Sequence, residues 1–164
     1  MHDVSVAMLE KQAACIGIPL VLFPMEKYPG ADAYGEAMRA EMEKFRQEGI
    51  EWTLFGDLWR EDVRTRREQK LAGSGIKAAF PLWGMRPDEV LEEFFAAGFR
   101  SVVTNADERL GRGAVGRGLR EAVSLLPQGA DICGENGEYH SFVYGGPNFS
   151  GTVPFSVGKI TERA

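Results

Sequence analysis

Helical stripes and short apolar runs alternate along most of this chain, each closed by glycine or proline, and that alternation constrains the fold more than any other feature. Val6, Leu9, Ala13 and Ile16 share one face of a helix that Gly17 can end. Ile18 to Phe23 is a continuous apolar run interrupted only by Pro19, with the length and β-branched content of a buried strand; Pro24 and Tyr28-Pro29-Gly30 close it. Tyr34, Met38, Met42 and Phe45 make a second helical stripe, ended by Gly49. Ile50 to Phe55 reads as a strand stopping at Gly56-Asp57. Leu58 to Leu71 reads as a charged helix, with Asp62 and Arg66 spaced for an i,i+4 pair and Ser74-Gly75 as its breaker. Ile76 to Phe80 is another short strand. Val90, Leu91, Phe94 and Phe95 form the buried face of a helix with Pro87 in its first turn and Gly98 past its last, and Phe99 to Thr104 is a further strand. Strands and helices in this rhythm predict an α/β fold: a mostly parallel sheet with flanking helices and right-handed crossovers.

After Thr104 the pattern loosens. Gly111, Gly113, Gly116 and Gly118 punctuate one stretch, Leu119 to Leu126 is a short helix closed by Pro127, and Tyr139 to Tyr144 and Thr152 to Ile160 read as strands of a β-hairpin with a long loop. The expected organisation is therefore an α/β part over 1–105 and a C-terminal lobe over 106–164, packed as one unit. The chain has 164 residues, enough for a real core. Its net charge of −5 argues against a generic nucleic-acid binder, which needs a basic face. No apolar run is long enough to span a bilayer and no secretory signal is visible, so no membrane partner and a cytoplasmic location are expected. Cys15 and Cys133 lie far apart with no Cys-x-x-Cys pair, which excludes a zinc ribbon. Cys133 adjoins a glycine-rich cluster, but no neighbouring base marks it as a nucleophile, and a buried thiol is the simpler reading.

That cluster is Gly134-Glu135-Asn136-Gly137-Glu138-Tyr139-His140. It gathers two carboxylates, an amide, a phenol and an imidazole on a loop leading into a strand, where sites are commonly built. The plain alternative is a glycine turn with solvated side chains. Glu135 and Glu138 suit Mg²⁺ coordination or proton acceptance from an amine, and His140 suits a general base or a carboxylate partner. Other groups end strands, where open α/β sheets gather ligands. Asp57 suits a cation or a helix N-cap. Arg64, Arg66 and Arg67 suit phosphate or a solvated helix face. Trp83, in Pro81-Leu82-Trp83-Gly84, suits stacking on a base or on a cationic ligand, or the core; Asn105 and Asp107 follow the last strand of the series. Gly111-Arg112-Gly113-Ala114-Val115-Gly116 spells a dinucleotide fingerprint but follows no strong strand and is discounted.

Together these motifs resemble the ATP-binding family of diphthine–ammonia ligase. The resemblance runs through Met1-His2 and Gly17-Ile18-Pro19-Leu20, then Phe55-Gly56-Asp57-Leu58 with Asp62, Arg66 and Glu68. It continues in Phe80-Pro81-Leu82-Trp83-Gly84, Gly98-Phe99 with Val102-Val103, Leu126-Pro127 and Asp131. It ends in Cys133 to His140 and Gly146-Pro147-Asn148-Phe149. It implies a nucleotide α-hydrolase-like domain and an ATP-dependent amide ligase, in which a carboxylate is adenylated and ammonia displaces AMP. It further implies Glu135, Glu138 and His140 as catalytic residues and Asn136, Gly137, Tyr139 and Trp83 as substrate contacts. Gly56, Asp57, Asp62 and Arg66 fall on the nucleotide side, with ATP and Mg²⁺ as cofactors. The implied partners are a protein or small-molecule carboxylate acceptor and ammonia. The family's Ser-Gly-Gly-Lys-Asp-Ser phosphate loop does not occur in the sequence. By the resemblance, Met1-His2 matches a point after the family's second strand, so a βαβ unit of roughly 30 or more residues would precede it. The readings are a start at an internal methionine, a partner that supplies those strands, or lost nucleotide chemistry. A non-catalytic module that binds a cationic or modified-residue partner through Glu135, Glu138 and His140 is the alternative function. A homo-oligomer burying an exposed sheet edge is a further reading.

Overall fold

The computed structural model describes the backbone of residues 4–22 and 31–161 and the side chains of all of these except 31–37. The Met1-His2 match, the end of the first apolar run at Phe23, the turn at Pro24 and Tyr28-Pro29-Gly30, and the side chain of Tyr34 lie outside the described residues. The chain is mixed α and β, and it divides into two compact units: Met1–Val21 with Pro87–Ala164, and Leu22–Arg86. The boundary expected at 105/106 falls within a strand of the first unit.

The Leu22–Arg86 unit contains α2 (Ala31–Gln47), β1 (Trp52–Leu54), α3 (Glu61–Leu71) and β2 (Lys77–Ala79). Its two strands pair in parallel, with Trp52 opposite Lys77 and Leu54 opposite Ala79. Met42 from α2, Leu71 from α3 and Ile76 form its core, joined by Met38, Phe45, Phe55 and Ala78. The sequence pattern correctly located this strand–helix–strand crossover, but parallel pairing among the described residues extends no further. Residues 18–22 form no strand; Ile18, Leu20, Val21 and Leu22 are exposed. The helix before them ends in a left-handed Gly17, with the amides of Gly17 and Ile18 both donating to the Ala13 carbonyl. An apolar run becomes a strand only where another strand meets its amides and carbonyls.

The other unit is built on an antiparallel ribbon of β3 (Arg100–Ala106) and β4 (Tyr139–Gly145). The expectation that the Phe99–Thr104 strand belongs to a parallel sheet is therefore corrected: β3 takes β4 as its described partner. Strand alternation gives the ribbon two apolar faces. On one face Val103 and Tyr139 pack with Leu91 of α4 (Pro87–Ala96), Leu119 and Ala122 of α5 (Leu119–Val123), Leu110 and Ala114. On the other, Val102 and Phe142 pack with Val153 and with Met8, Leu9 and Cys15 of α1 (Val6–Ile16). The Gln12 amide donates to the Val143 carbonyl at 2.5 Å, fixing α1 to the ribbon. The Gly111–Gly116 stretch forms a 3₁₀ turn over Arg112–Ala114, and the Gly116 amide donates to the Val103 carbonyl at 2.8 Å; it opens no helix.

The second strand of the expected C-terminal hairpin is also corrected. Residues 152–160 carry no strand. The Val153 amide donates to the Tyr144 carbonyl at 2.8 Å, and the next residue is Pro154, which has no N–H to continue a ladder. The segment instead runs as a strap, with Phe155 against the Tyr144 ring at 4.9 Å.

Candidate functional site

The Gly134–His140 block folds as a loop closed by its own side chains. Asp131 starts it: its Oδ1 accepts the Cys133 amide at 2.7 Å and its carbonyl accepts the Gly134 amide at 3.1 Å. The Gly134 carbonyl then accepts the Gly137 amide at 2.9 Å. Gly134 has φ 77°, and a Cβ there would lie 3.2 Å from both the ring and the carbonyl oxygen of Tyr139. Both the left-handed backbone and the close approach require glycine at this position.

Glu138 holds the loop together from inside. It is fully buried. Its Oε1 accepts the Asp131 amide at 2.9 Å and its Oε2 accepts the Asn136 amide at 3.1 Å, so one carboxylate spans the loop. Its carbonyl accepts the Asp107 amide at 2.9 Å. Arg109 approaches from the 107–110 turn, with Nη1 3.8 Å from Oε1 of Glu138. The same guanidinium pairs with Asp107, whose Oδ1 accepts the amides of Arg109 at 2.9 Å and Leu110 at 3.3 Å. Burial pushes the Glu138 carboxyl upward. The amides of Asp131 and of Glu138 itself, with Asn136 and the Arg109 charge, outweigh burial and leave it below the usual carboxylate range. Glu138 is thus an anion at neutral pH with both oxygens engaged, and its position assigns it to shaping the loop.

Tyr139 is buried as well. Its hydroxyl donates to the Ile132 carbonyl at 2.7 Å, and burial, with nearby Cys133, Asp131 and Glu138, raises its pKa. Cys133 donates its thiol to the Pro87 carbonyl at 3.3 Å. Burial, then the charges of Asp131, Glu135 and Asp88, push that thiol up to about 12, which disfavours a nucleophilic thiolate. With Glu138 and Tyr139 turned inward, Asn136 and Gly137 form the exposed tip and Glu135 is half-buried beside them. His140 follows on β4 opposite Asn105, on the ribbon face that carries Val102 and Phe142.

The residues expected on the nucleotide side, with Trp83, belong to the Leu22–Arg86 unit. Gly56 and Asp57 follow the carboxyl end of β1. Asp57 is not the helix cap: α3 begins after Arg60, and Oδ2 of Asp57 accepts from Arg67 Nε at 3.3 Å. Asp62 pairs with Arg66 at 2.8 Å and Arg60 at 3.0 Å, and these bonds, Arg60 first, hold its carboxyl below the usual range. Trp83 meets Phe80 edge-on at 5.9 Å, and Arg64 lies over both rings, 4.7 Å from the Trp83 centroid. Arg67 likewise sits over Phe55 at 4.8 Å. This is a set of arginines laid across aromatic faces and tied to carboxylates, in which Trp83 already carries a cation.

Sequence reasoning missed Arg109. Nothing in its sequence neighbourhood marks it, because its partner Glu138 is distant along the chain and meets it only through the fold. Among the described residues no group of three or more His, Cys, Asp or Glu is arranged to hold a metal ion. Comparison with protein-family models returns no match, and no curated protein matches the sequence.

Proposed function

We propose that this chain is the acceptor-facing part of an ATP-dependent carboxylate–ammonia ligase similar to diphthine–ammonia ligase. The reading rests on the motif order along the sequence, and one structural observation supports it above others. The Gly134–His140 block is organised around the buried anion of Glu138, which leaves Glu135 and Asn136 on a stiffened loop that leads into β4. A loop built this way suits orientation of an acceptor, because its shape is set before any ligand arrives.

In the proposed reaction the acceptor carboxylate attacks the α-phosphorus of ATP and pyrophosphate leaves. Ammonia then attacks the acyl carbon, AMP leaves with the electron pair of the broken C–O bond, and the nitrogen sheds a proton. Glu135 and His140 are the groups of this chain assigned to receive that proton. Asn136 and the backbone of Gly137 would position the acceptor, and Glu138 would act through the loop. The described residues offer no built site for Mg²⁺, and the sequence has no Ser-Gly-Gly-Lys-Asp-Ser loop, so the reading assigns the phosphate grip to a separate segment or partner.

The test is AMP release. The chain alone should show no ATP binding by titration calorimetry. Supplied with a polypeptide bearing the phosphate loop, it should release AMP only when ammonium and a carboxylate acceptor are both present, and Glu135→Gln should slow that release at least about tenfold. Micromolar ATP binding by the chain alone contradicts the assignment of the phosphate grip. Absence of ammonia-dependent AMP from the assembly refutes the ligase reading. It would favour the module that binds a cationic partner, for which Glu135→Gln weakens partner binding without any turnover to lose.

A further inference from the structure

We propose a second ligand site, for a small amphipathic carboxylate, in the groove between α1, the β3–β4 ribbon and the C-terminal strap. This inference does not depend on the ligase reading. The groove has a volume of about 650 Å³, within the usual range for small-molecule sites. It lies wholly within one compact unit. Its floor is Val102, Thr104 and Phe142; α1 adds Met8 and Lys11, and the strap adds Phe155.

The occupant follows from the chemistry of these walls. Apolar side chains dominate, and they call for an apolar body. The remaining described lining residues are hydroxyl-bearing (Ser5, Thr104, Ser156) except for Lys11. Ser5 Oγ caps α1 by accepting the Met8 amide at 3.3 Å, which leaves its O–H able to donate to an anion, and Thr104 Oγ1 donates to the His140 carbonyl at 3.2 Å. Lys11 is thus the charged group of the described lining, and no described carboxylate lines the groove beside it. In a chain of net charge −5, a groove whose described charge is one ammonium selects an anionic head. A carboxylate matches a single lysine; a phosphate or sulfate would favour several donors or an arginine fork. A quaternary ammonium, in contrast, would meet like charge.

Octanoate is the probe, titrated into the full chain and followed by calorimetry and by methyl chemical shifts. Binding should move the signals of Met8 and Val102, and Lys11→Gln should weaken it about threefold, the scale of an ion pair at an exposed side chain. Octanol should bind the parent chain and the variant alike, and octyltrimethylammonium should bind more weakly than octanoate. Ser156→Trp, at an exposed strap position, should block all three by filling the groove. Absence of octanoate binding overturns the site. Equal octanoate affinity in the parent chain and Lys11→Gln overturns the carboxylate assignment, as does a preference for the quaternary amine.

Discussion

Replacing Glu138 by alanine removes the buried acceptor of two amide hydrogen bonds, from Asp131 at 2.9 Å and Asn136 at 3.1 Å. Hydrogen bonds to a charged group contribute about 1.5–3 kcal/mol each, so losing both costs about 3–6 kcal/mol. Glu138→Gln keeps one oxygen acceptor but turns an NH₂ toward the other amide, so roughly half that loss is expected. Denaturant unfolding at neutral pH measures it, with the two variants ordered alanine, then glutamine, then parent. Amide exchange should accelerate first at Asp131 and Asn136, since those N–H groups lose their partners. An alanine variant within about 0.5 kcal/mol of the parent, the range of an ordinary surface change, would refute the claim that this carboxylate holds the loop.

Acid gives an independent view of the same residue. The Glu138 carboxyl titrates below its unfolded value of about 4.3, so its contribution is complete above that pH and is lost as pH falls through the lower folded value. Glu138→Gln should therefore flatten the loss of stability as pH falls below about 4.3, and an unchanged slope there would count against it. Gly134→Ala should cost about 1–2 kcal/mol for its left-handed backbone, with a further penalty as the Tyr139 ring is displaced; near-UV circular dichroism of the tyrosines checks the second effect. Tyr139→Phe should cost about 1 kcal/mol by removing the hydroxyl's bond to the Ile132 carbonyl, and a stabilised variant would contradict that bond. Cys133 should react slowly with iodoacetamide at pH 8 in the native protein and at the ordinary rate once unfolded; equal rates would show that its thiol is not held up to about 12.

Local signals carried a good part of the fold. Helices α1, α2 and α4 lie where apolar stripes and stop signals put them, because helix hydrogen bonds close within one segment and Gly17, Gly49 and Gly98 supply their stops; α3 starts at Glu61 and not at Leu58, and α5 ends at Val123 and not at Leu126. The i,i+4 pair of Asp62 and Arg66 was legible for the same reason. Strand partners were not. The runs at 18–22 and 100–104 both read as strands in sequence, yet the first forms no strand and the second pairs antiparallel with β4, since a strand's bonds are made by residues elsewhere in the chain.

The candidate site divides along the same line. Sequence alone marked Gly134–His140 as a block of chemical groups on a loop entering a strand, because glycine and polar residues declare a turn by their own backbone preferences. Only the tertiary structure sorted those groups. It buried Glu138 and Tyr139 against the chain and brought Arg109 to Glu138 from another turn, while Asn136 and Gly137 stayed exposed. A side chain's ionisation and availability depend on what surrounds it, and those surroundings come from residues distant along the chain.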